Sequence, residues 1–176
     1  QKAHVFWLTG LSGSGKSTLA FALAEKLMLD GKVVQVLDGD NLRVGLCNNL
    51  GFTQTDRLEN VRRVAEAAKI LVNTGVICVV CLISPLIEMR TLARTIIGEN
   101  DFSEIFIDAS YTLCKTRDPK GLYQLAEQGN LNNFTGIHQQ YEPPLTPSLH
   151  INTEVNFIDN SVELLLNFTF QKIMIN

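Results

Sequence analysis

The sequence predicts an α/β domain: a parallel β-sheet flanked by helices. Three observations carry this. Segments of strand-like and helix-like pattern alternate along the chain, which is the signature of a parallel sheet with crossover helices. The most apolar of them, residues 76–83 (VICVVCLI), is an unbroken run rich in β-branched residues, as expected for a strand buried on both faces. Near the amino end, an apolar stretch, a glycine-rich loop and a helical pattern follow one another directly.

Taken in order, Val5–Thr9 (VFWLT) reads as a first buried strand, with Trp7 in the core. The loop of residues 10–16 follows. Helix formers at helical spacing then run from Ser17 to Asp30, and Gly31 suits a C-cap. Lys32–Leu37 is a second strand that ends in Asp38-Gly39-Asp40, and a short helix is expected from Asn41. After a loop at Asn48–Gly51, Thr53 to Asp56 offers helix caps. An amphipathic helix extends from there to Asn73, with Leu58, Val61, Val64, Ala65, Ala68 and Leu71 on one face. The third strand, Val76–Ile83, stops at Ser84-Pro85. Leu86–Ile97 is a helix, Gly98–Asp101 a turn and Glu104–Asp108 a fourth strand. Short helices are expected at Tyr111–Arg117 and Gly121–Gln128. Gly129–Pro147 is polar, with Gly, Asn and Pro, and reads as a mobile loop. Leu149–Ile151 is a short fifth strand, and Asn160–Lys172 a closing helix. No repeat, linker or low-complexity segment divides the chain, so residues 1–176 form one domain.

The glycine-rich loop, Gly10-Leu11-Ser12-Gly13-Ser14-Gly15-Lys16-Ser17, fits G-x-x-x-x-G-K-S/T. Its glycines allow the backbone N–H groups to converge on one anion. Lys16 adds a mobile charge for the outer phosphates, and the Ser17 hydroxyl suits the shell of Mg2+. The helix that follows points its amino terminus, and so its dipole, at the same anion. The fold class is therefore that of the P-loop NTPases. Ligands of such sheets bind at the carboxyl ends of the strands, where Asp38, Asp40 and Ser84 also lie. Asp38 and Asp40, two apart at a strand end, share a face. One carboxylate can approach the Mg2+ shell while the other reaches an acceptor hydroxyl, and phosphoryl transfer to an alcohol needs both. The competing reading is a turn in which each Asp accepts from backbone N–H groups.

Composition narrows the partners. The 176 residues carry 15 Lys+Arg against 18 Asp+Glu, a net charge of −3, which argues against a nucleic-acid-binding face. An anion site must come from local basic residues. No apolar run approaches the roughly 20 residues of a membrane span, and no signal or transit peptide is visible. Of the four cysteines, Cys78 and Cys81 form a C-x-x-C within a strand, where side chains three apart face opposite ways. Buried structural thiols in a reducing, cytoplasmic compartment are expected, not a metal or disulfide. His4, His138 and His150 show no metal spacing. Arg43 and Arg57 are placed to hold an anionic acceptor, whereas Arg63, four residues after Glu59, reads as half of a surface pair. Asp118-Pro119-Lys120-Gly121 matches D-x-x-G but follows a helix, and no N-K-x-D accompanies it, so a guanine site is not expected.

With these residues placed, the chain resembles the adenylylsulfate kinase (APS kinase) family. Beyond the phosphate loop, the resemblance rests on Asp38-Gly39-Asp40-Asn41-Leu42-Arg43, Gly51-Phe52 and Asp56-Arg57-Leu58-Glu59-Asn60-Val61-Arg62-Arg63. It continues through Ile83-Ser84-Pro85, Arg117-Asp118-Pro119-Lys120-Gly121-Leu122-Tyr123, Asn133-Phe134-Thr135-Gly136-Ile137 and Tyr141-Glu142-Pro143-Pro144. It implies transfer of the ATP γ-phosphoryl group, with Mg2+, to the 3′-hydroxyl of adenosine 5′-phosphosulfate (APS), giving PAPS and ADP in sulfate assimilation. Carried onto matching positions, Ser12, Gly13, Ser14, Gly15, Lys16, Ser17 and Thr18 hold the ATP phosphates, with Arg117 and Asn156 on the adenine side. Ser17 and Asp38 serve the metal. Asp40 orients or deprotonates the hydroxyl, and Lys16 and Ser84 complete the catalytic group, Ser84 matching a serine phosphorylated in some members. Asp40, Arg43, Phe52, Arg57, Asn60, Ile83, Ser84, Lys120, Asn133 and Phe134 line the APS site. Residues 120–141 form a lid that excludes water. The resemblance further implies a homodimer and a fused or associated ATP sulfurylase. The chain departs from the family at Val44 and His138, and at Gln124, Leu125 and Glu127, which stand at usual basic positions and make the lid less basic. Another P-loop kinase with an anionic acceptor, and a nucleotide-binding module without turnover, are the alternatives. The second is disfavoured by the presence of Lys16, Ser17, Asp38 and Asp40.

Overall fold

The computed structural model describes residues 1–131 and 133–174. Residue 132, inside the expected lid, and residues 175–176, at the end of the expected domain, lie outside the described residues. The chain follows the predicted alternation. Five strands, β1 (Val5–Thr9), β2 (Val34–Asp38), β3 (Ile77–Cys81), β4 (Phe102–Asp108) and β5 (Leu149–Asn152), form one sheet in the order β2-β3-β1-β4-β5. Every pairing is parallel, with Val5 opposite both Cys78 and Phe102. Among the described residues seven α-helices connect and cover them: α1 (Lys16–Leu29), α2 (Gly39–Val44), α3 (Gln54–Asn73), α4 (Ile87–Ile97), α5 (Tyr111–Arg117), α6 (Leu122–Glu127) and α7 (Ile158–Ile173).

β1 is buried along its whole length because it lies mid-sheet with a core on each side. Phe6 and Leu8 face Leu19, Leu23 and Leu27 of α1 and Val162 and Leu165 of α7. Val5 and Trp7 face Val61, Val64 and Ala68 of α3 and Met89 and Ala93 of α4. Full burial of each such side chain contributes roughly 1.5–3 kcal/mol. A third, smaller cluster joins Cys114, Tyr123, Ala126 and Phe134, and so fastens part of the predicted loop to α5 and α6. The described residues of 129–147 hold no helix or strand beyond an isolated bridge between Thr135 and Gln139, yet Phe134 and Thr135 are buried.

Several boundaries move. β3 is shorter than expected because Ile83 leaves the ladder, its carbonyl accepting instead from the Thr9 hydroxyl at 2.6 Å. β4 starts two residues early, since Phe102 and Ser103 are already buried against β1. α7 starts at Ile158 without a capping side chain, so Asn160, which resembles a helix start, stands in its first turn. Cys78 and Cys81 lie in opposite cores, and all four cysteines are buried and unbridged. Asp118 accepts from the N–H groups of Tyr123 and Gln124 and thereby caps α6, which accounts for the D-x-x-G match. Among the described residues no helix is long and apolar enough to cross a membrane, and no group of three His, Cys, Asp or Glu is placed to hold a metal.

Candidate active site

The carboxyl ends of β1, β2 and β3 open into one cavity of about 690 Å3. Every residue proposed from the sequence for a site role, except Ser14, borders it. The loop after β1 forms its floor. A Cβ on Gly10 would lie 2.2 Å from the Ile107 carbonyl oxygen of β4, so only glycine fits that close approach. Gly15 turns the chain into α1 at φ +104°, a left-handed conformation that glycine adopts without strain. Thr153, in the turn after β5, braces the loop by donating to Ser14 O at 2.8 Å. Arg117 adds bonds to Gly13 O and to both oxygens of Thr153. Arg117 and Asn156 thus stand at the rim beside β5.

Lys16 is buried, and its ammonium donates to Gly10 O at 2.9 Å and Leu11 O at 2.7 Å. Burial pushes its pKa down to about 8, against a smaller opposing effect of nearby Cys81 and Cys114. Ser17 Oγ donates to Asp38 Oδ2 at 2.7 Å. The other Asp38 oxygen accepts from Asp40 N at 3.1 Å and caps α2. The two aspartates therefore do not share a strand face: β2 ends at Asp38, and Asp40 stands in the first turn of α2. The turn reading of Asp38 thus accounts for one oxygen, while the other faces Ser17. Asp40 is exposed and forms an ion pair with Lys120, which also borders the cavity.

A second wall is aromatic and basic. Arg43 lies over the Phe52 ring at 4.2 Å from its centroid, and Arg57 approaches the same ring at 5.7 Å. Arg43 also donates to Leu50 O and Gly51 O. Arg57 is nearly buried, which lowers its pKa, and it donates to Phe52 O, Thr135 Oγ1 and Asn133 O. It thus ties the loop before α3 to residues 133–135. Asn60 is buried, and its Oδ1 has no partner among the described residues. Arg62 and Arg63 both pair with Glu59, as a surface reading of Arg63 predicts. Ile83 and Ser84 close the site at the end of β3. Ser84 has φ +37°, which is uncommon for a residue with a Cβ, and its hydroxyl accepts from Trp7 Nε1 at 3.1 Å.

Sequence reasoning missed a set of residues behind this wall. Trp7 reads as core and is core, but its N–H reaches the site. Arg90, Glu104, Thr9 and Tyr141 form a buried polar group under Ile83 and Ser84. The available signal was an arginine within the buried stripe Met89, Ala93 and Ile97 of α4, and an acid within the apolar β4. Thr153 offers no comparable signal.

A phosphate loop at the first strand, a hydroxyl–carboxylate pair beside it, and a second acid that shares the cavity with a basic aromatic wall define an NTP-dependent small-molecule kinase. The sequence matches the adenylylsulphate kinase family over residues 2–152, and the chain belongs to that family. It is 45% identical over 173 residues to an adenylyl-sulfate kinase of Bacteroides fragilis, covering 98% of this chain and 86% of the relative. It is 53% identical over 153 residues to the bifunctional enzyme NodQ of Rhizobium tropici, covering 87% of this chain but 24% of NodQ. Among solved structures, the APS kinase of Mycobacterium tuberculosis in complex with AMPPNP and APS superposes with a TM-score of 0.92 at 42% identity. That match covers 96% of this chain and 98% of the other.

Proposed function

We propose that this chain transfers the γ-phosphoryl group of ATP to the 3′-hydroxyl of APS, forming PAPS and ADP for sulfate assimilation. The observation that carries the reading is that one cavity is lined by the Lys16, Ser17 and Asp38 cluster, by Asp40 and by the Arg43, Phe52 and Arg57 wall. ATP phosphates lie along Ser12 to Thr18, and Arg117 and Asn156 flank the nucleoside end. The hard oxygen donors of Ser17 and Asp38 fit Mg2+, which keeps most of its shell as water and phosphate oxygen and so needs no larger cluster of acids. When bound, the ion neutralises charge on the phosphates. Lys16 adds positive charge at the transferring group.

Asp40 accepts the proton of the 3′-hydroxyl as its oxygen bonds to the γ-phosphorus and the bond to the β,γ-bridging oxygen breaks. Lys120 holds the Asp40 carboxylate at the cavity mouth. The purine of APS stacks on Phe52, and Asn60 Oδ1, an acceptor in want of a donor, faces the acceptor side together with Ile83, Ser84, Asn133 and Phe134. Arg43 meets the phosphosulfate anion. Residues 120–141 cover the site as a lid. Four unbridged thiols support a cytoplasmic, reducing setting. We further read the active form as a homodimer. The relative called bifunctional supports a fused or associated ATP sulfurylase in some chains of this kind.

The test is ADP release by the purified chain with ATP, Mg2+ and a panel of acceptors, and mass analysis of the product. Efficient release with APS, with one phosphoryl group added to the ribose, is expected. Release with a sugar or another nucleotide in preference to APS, or none at all, overturns the reading.

A further inference from the structure

Arg90 is almost fully buried in α4 and does not border the cavity, yet it touches two segments that do or that lead to it. Its Nε donates to Glu104 Oε1, one terminal nitrogen to Ser84 O at 2.7 Å and the other to Glu142 O at 2.7 Å. The Tyr141 ring lies 5.8 Å from the guanidinium carbon. Tyr141 Oη meets Thr9 Oγ1 at 3.0 Å, and that hydroxyl donates to Ile83 O. The segment is tied again where Glu142 N donates to Pro85 O at 2.8 Å and Ile87 N donates to Glu142 Oε2 at 2.7 Å. One fork thus joins the end of β3 to the segment that returns from residues 120–141.

We propose that Arg90 is a positioning residue for the acceptor: it fixes the Ser84 peptide and Tyr141–Glu142 as one unit, and so sets the acceptor wall and the foot of the covering segment together. The inference rests on the phosphotransfer reading above. Ser84 sits at φ +37°, and such a conformation persists only where neighbours over-determine it. Trp7 holds its hydroxyl and Arg90 its carbonyl. The planar fork matters, because three acceptors in three directions are within reach of a guanidinium and not of a single ammonium. Glu104 keeps the charge neutral in the interior and has a second partner in Arg94.

Arg90→Lys tests this, since it retains a cation for Glu104 and loses the fork. The expected result is a rise of about tenfold in KM for APS, with KM for ATP within about twofold of the parent. ADP release in the absence of acceptor should also rise, because the cover no longer seats fully. If Arg90→Lys fails to fold, Arg90→Met/Glu104→Gln removes the fork without stranding a buried carboxylate, and the same split is expected. A KM for APS within twofold of the parent, or KM values for ATP and APS that rise in parallel, overturns the proposal. Hydrogen exchange provides a readout free of the assigned reaction: the amides of Ile87 and Glu142 should exchange faster in the variant while those of β1 do not. If the parent itself fails to turn over APS, the functional reading falls, and unchanged exchange at those two amides would separately refute the role of Arg90.

Discussion

Lys16 is buried in a place that disfavours its charge, and this separates its proposed part in catalysis from its part in stability. Lys16→Met should lower turnover on the order of 10²–10³-fold, the usual effect of removing one group that stabilises transition-state charge. The same variant should be more stable than the parent without ligand. Burial lowers the Lys16 pKa to about 8 from the ordinary 10.5, so between those values the unfolded chain binds more protons. Parent stability therefore rises with pH across that window, and the cost of the buried charge is fully present below pH 8. The gain in Lys16→Met, roughly 3 kcal/mol at most, should shrink as pH rises from 8 to 10.5. Urea denaturation across that range checks it. The aspartates divide in a similar way. Asp38→Asn keeps an oxygen for the N–H of Asp40 but holds a cation's water shell less well, so it should raise the Mg2+ needed for half-maximal rate. Asp40→Asn should lower kcat by roughly 10²–10⁴-fold with little change in Mg2+ demand. A magnesium titration of both, at saturating ATP and APS, distinguishes them. A shift in Asp40→Asn alone would reverse the roles.

At the scale of elements, Arg57 shows how a helix acts through a loop. It projects from α3 and donates to Phe52 O, Thr135 Oγ1 and Asn133 O, so one side chain holds two walls. Arg57→Ala should weaken APS binding by roughly 1.5–3 kcal/mol, as for other charge-assisted bonds, and leave ATP nearly unchanged. Limited proteolysis should cut residues 133–139 faster in the variant. Equal losses for both nucleotides would place Arg57 on the wrong side of the cavity. This link was not legible in the sequence. Arg57 reads there as a free guanidinium for an anion, because local pattern cannot show that Asn133 and Thr135, more than 70 positions away, present oxygens to it. The strands and long helices were legible because each has its own periodicity, to which α3 adds a cap: Thr53 accepts from Asp56 N. Where no cap exists, as at Phe157, the predicted start drifts to the nearest polar residue.

Across the whole molecule, the sheet order brings the ends of β1, β2 and β3 to one rim, and this explains why site residues spread from Ser12 to Asn156 converge. The convergence was legible because a parallel sheet places every carboxyl end on the same side. The buried polar support beneath Ser84 was not, since a paired Arg90 and Glu104 cancel in any count of charge. At the opposite end of the sheet, His4 is buried, with Nε2 2.8 Å from Ser103 Oγ. Burial first, then Lys172 and Lys2, pushes its pKa down to about 4. The folded state then binds fewer protons than the unfolded state between about 4 and 6.5, so stability should fall as pH drops through that range, by roughly 3 kcal/mol in all. His4→Gln should flatten the profile, and denaturant midpoints at pH 4 and 7 measure this. A steeper profile would contradict it. The placement of the cysteines has a practical consequence. Cys47, Cys78, Cys81 and Cys114 are all buried, and burial raises each thiol above its ordinary pKa. Thiolate is the reacting species in alkylation, so the native chain is chemically quiet toward maleimides. A cysteine introduced at exposed Gln128 would then carry a fluorophore alone, and its emission would show whether nucleotide moves the proposed cover, without stripping any native residue from the protein.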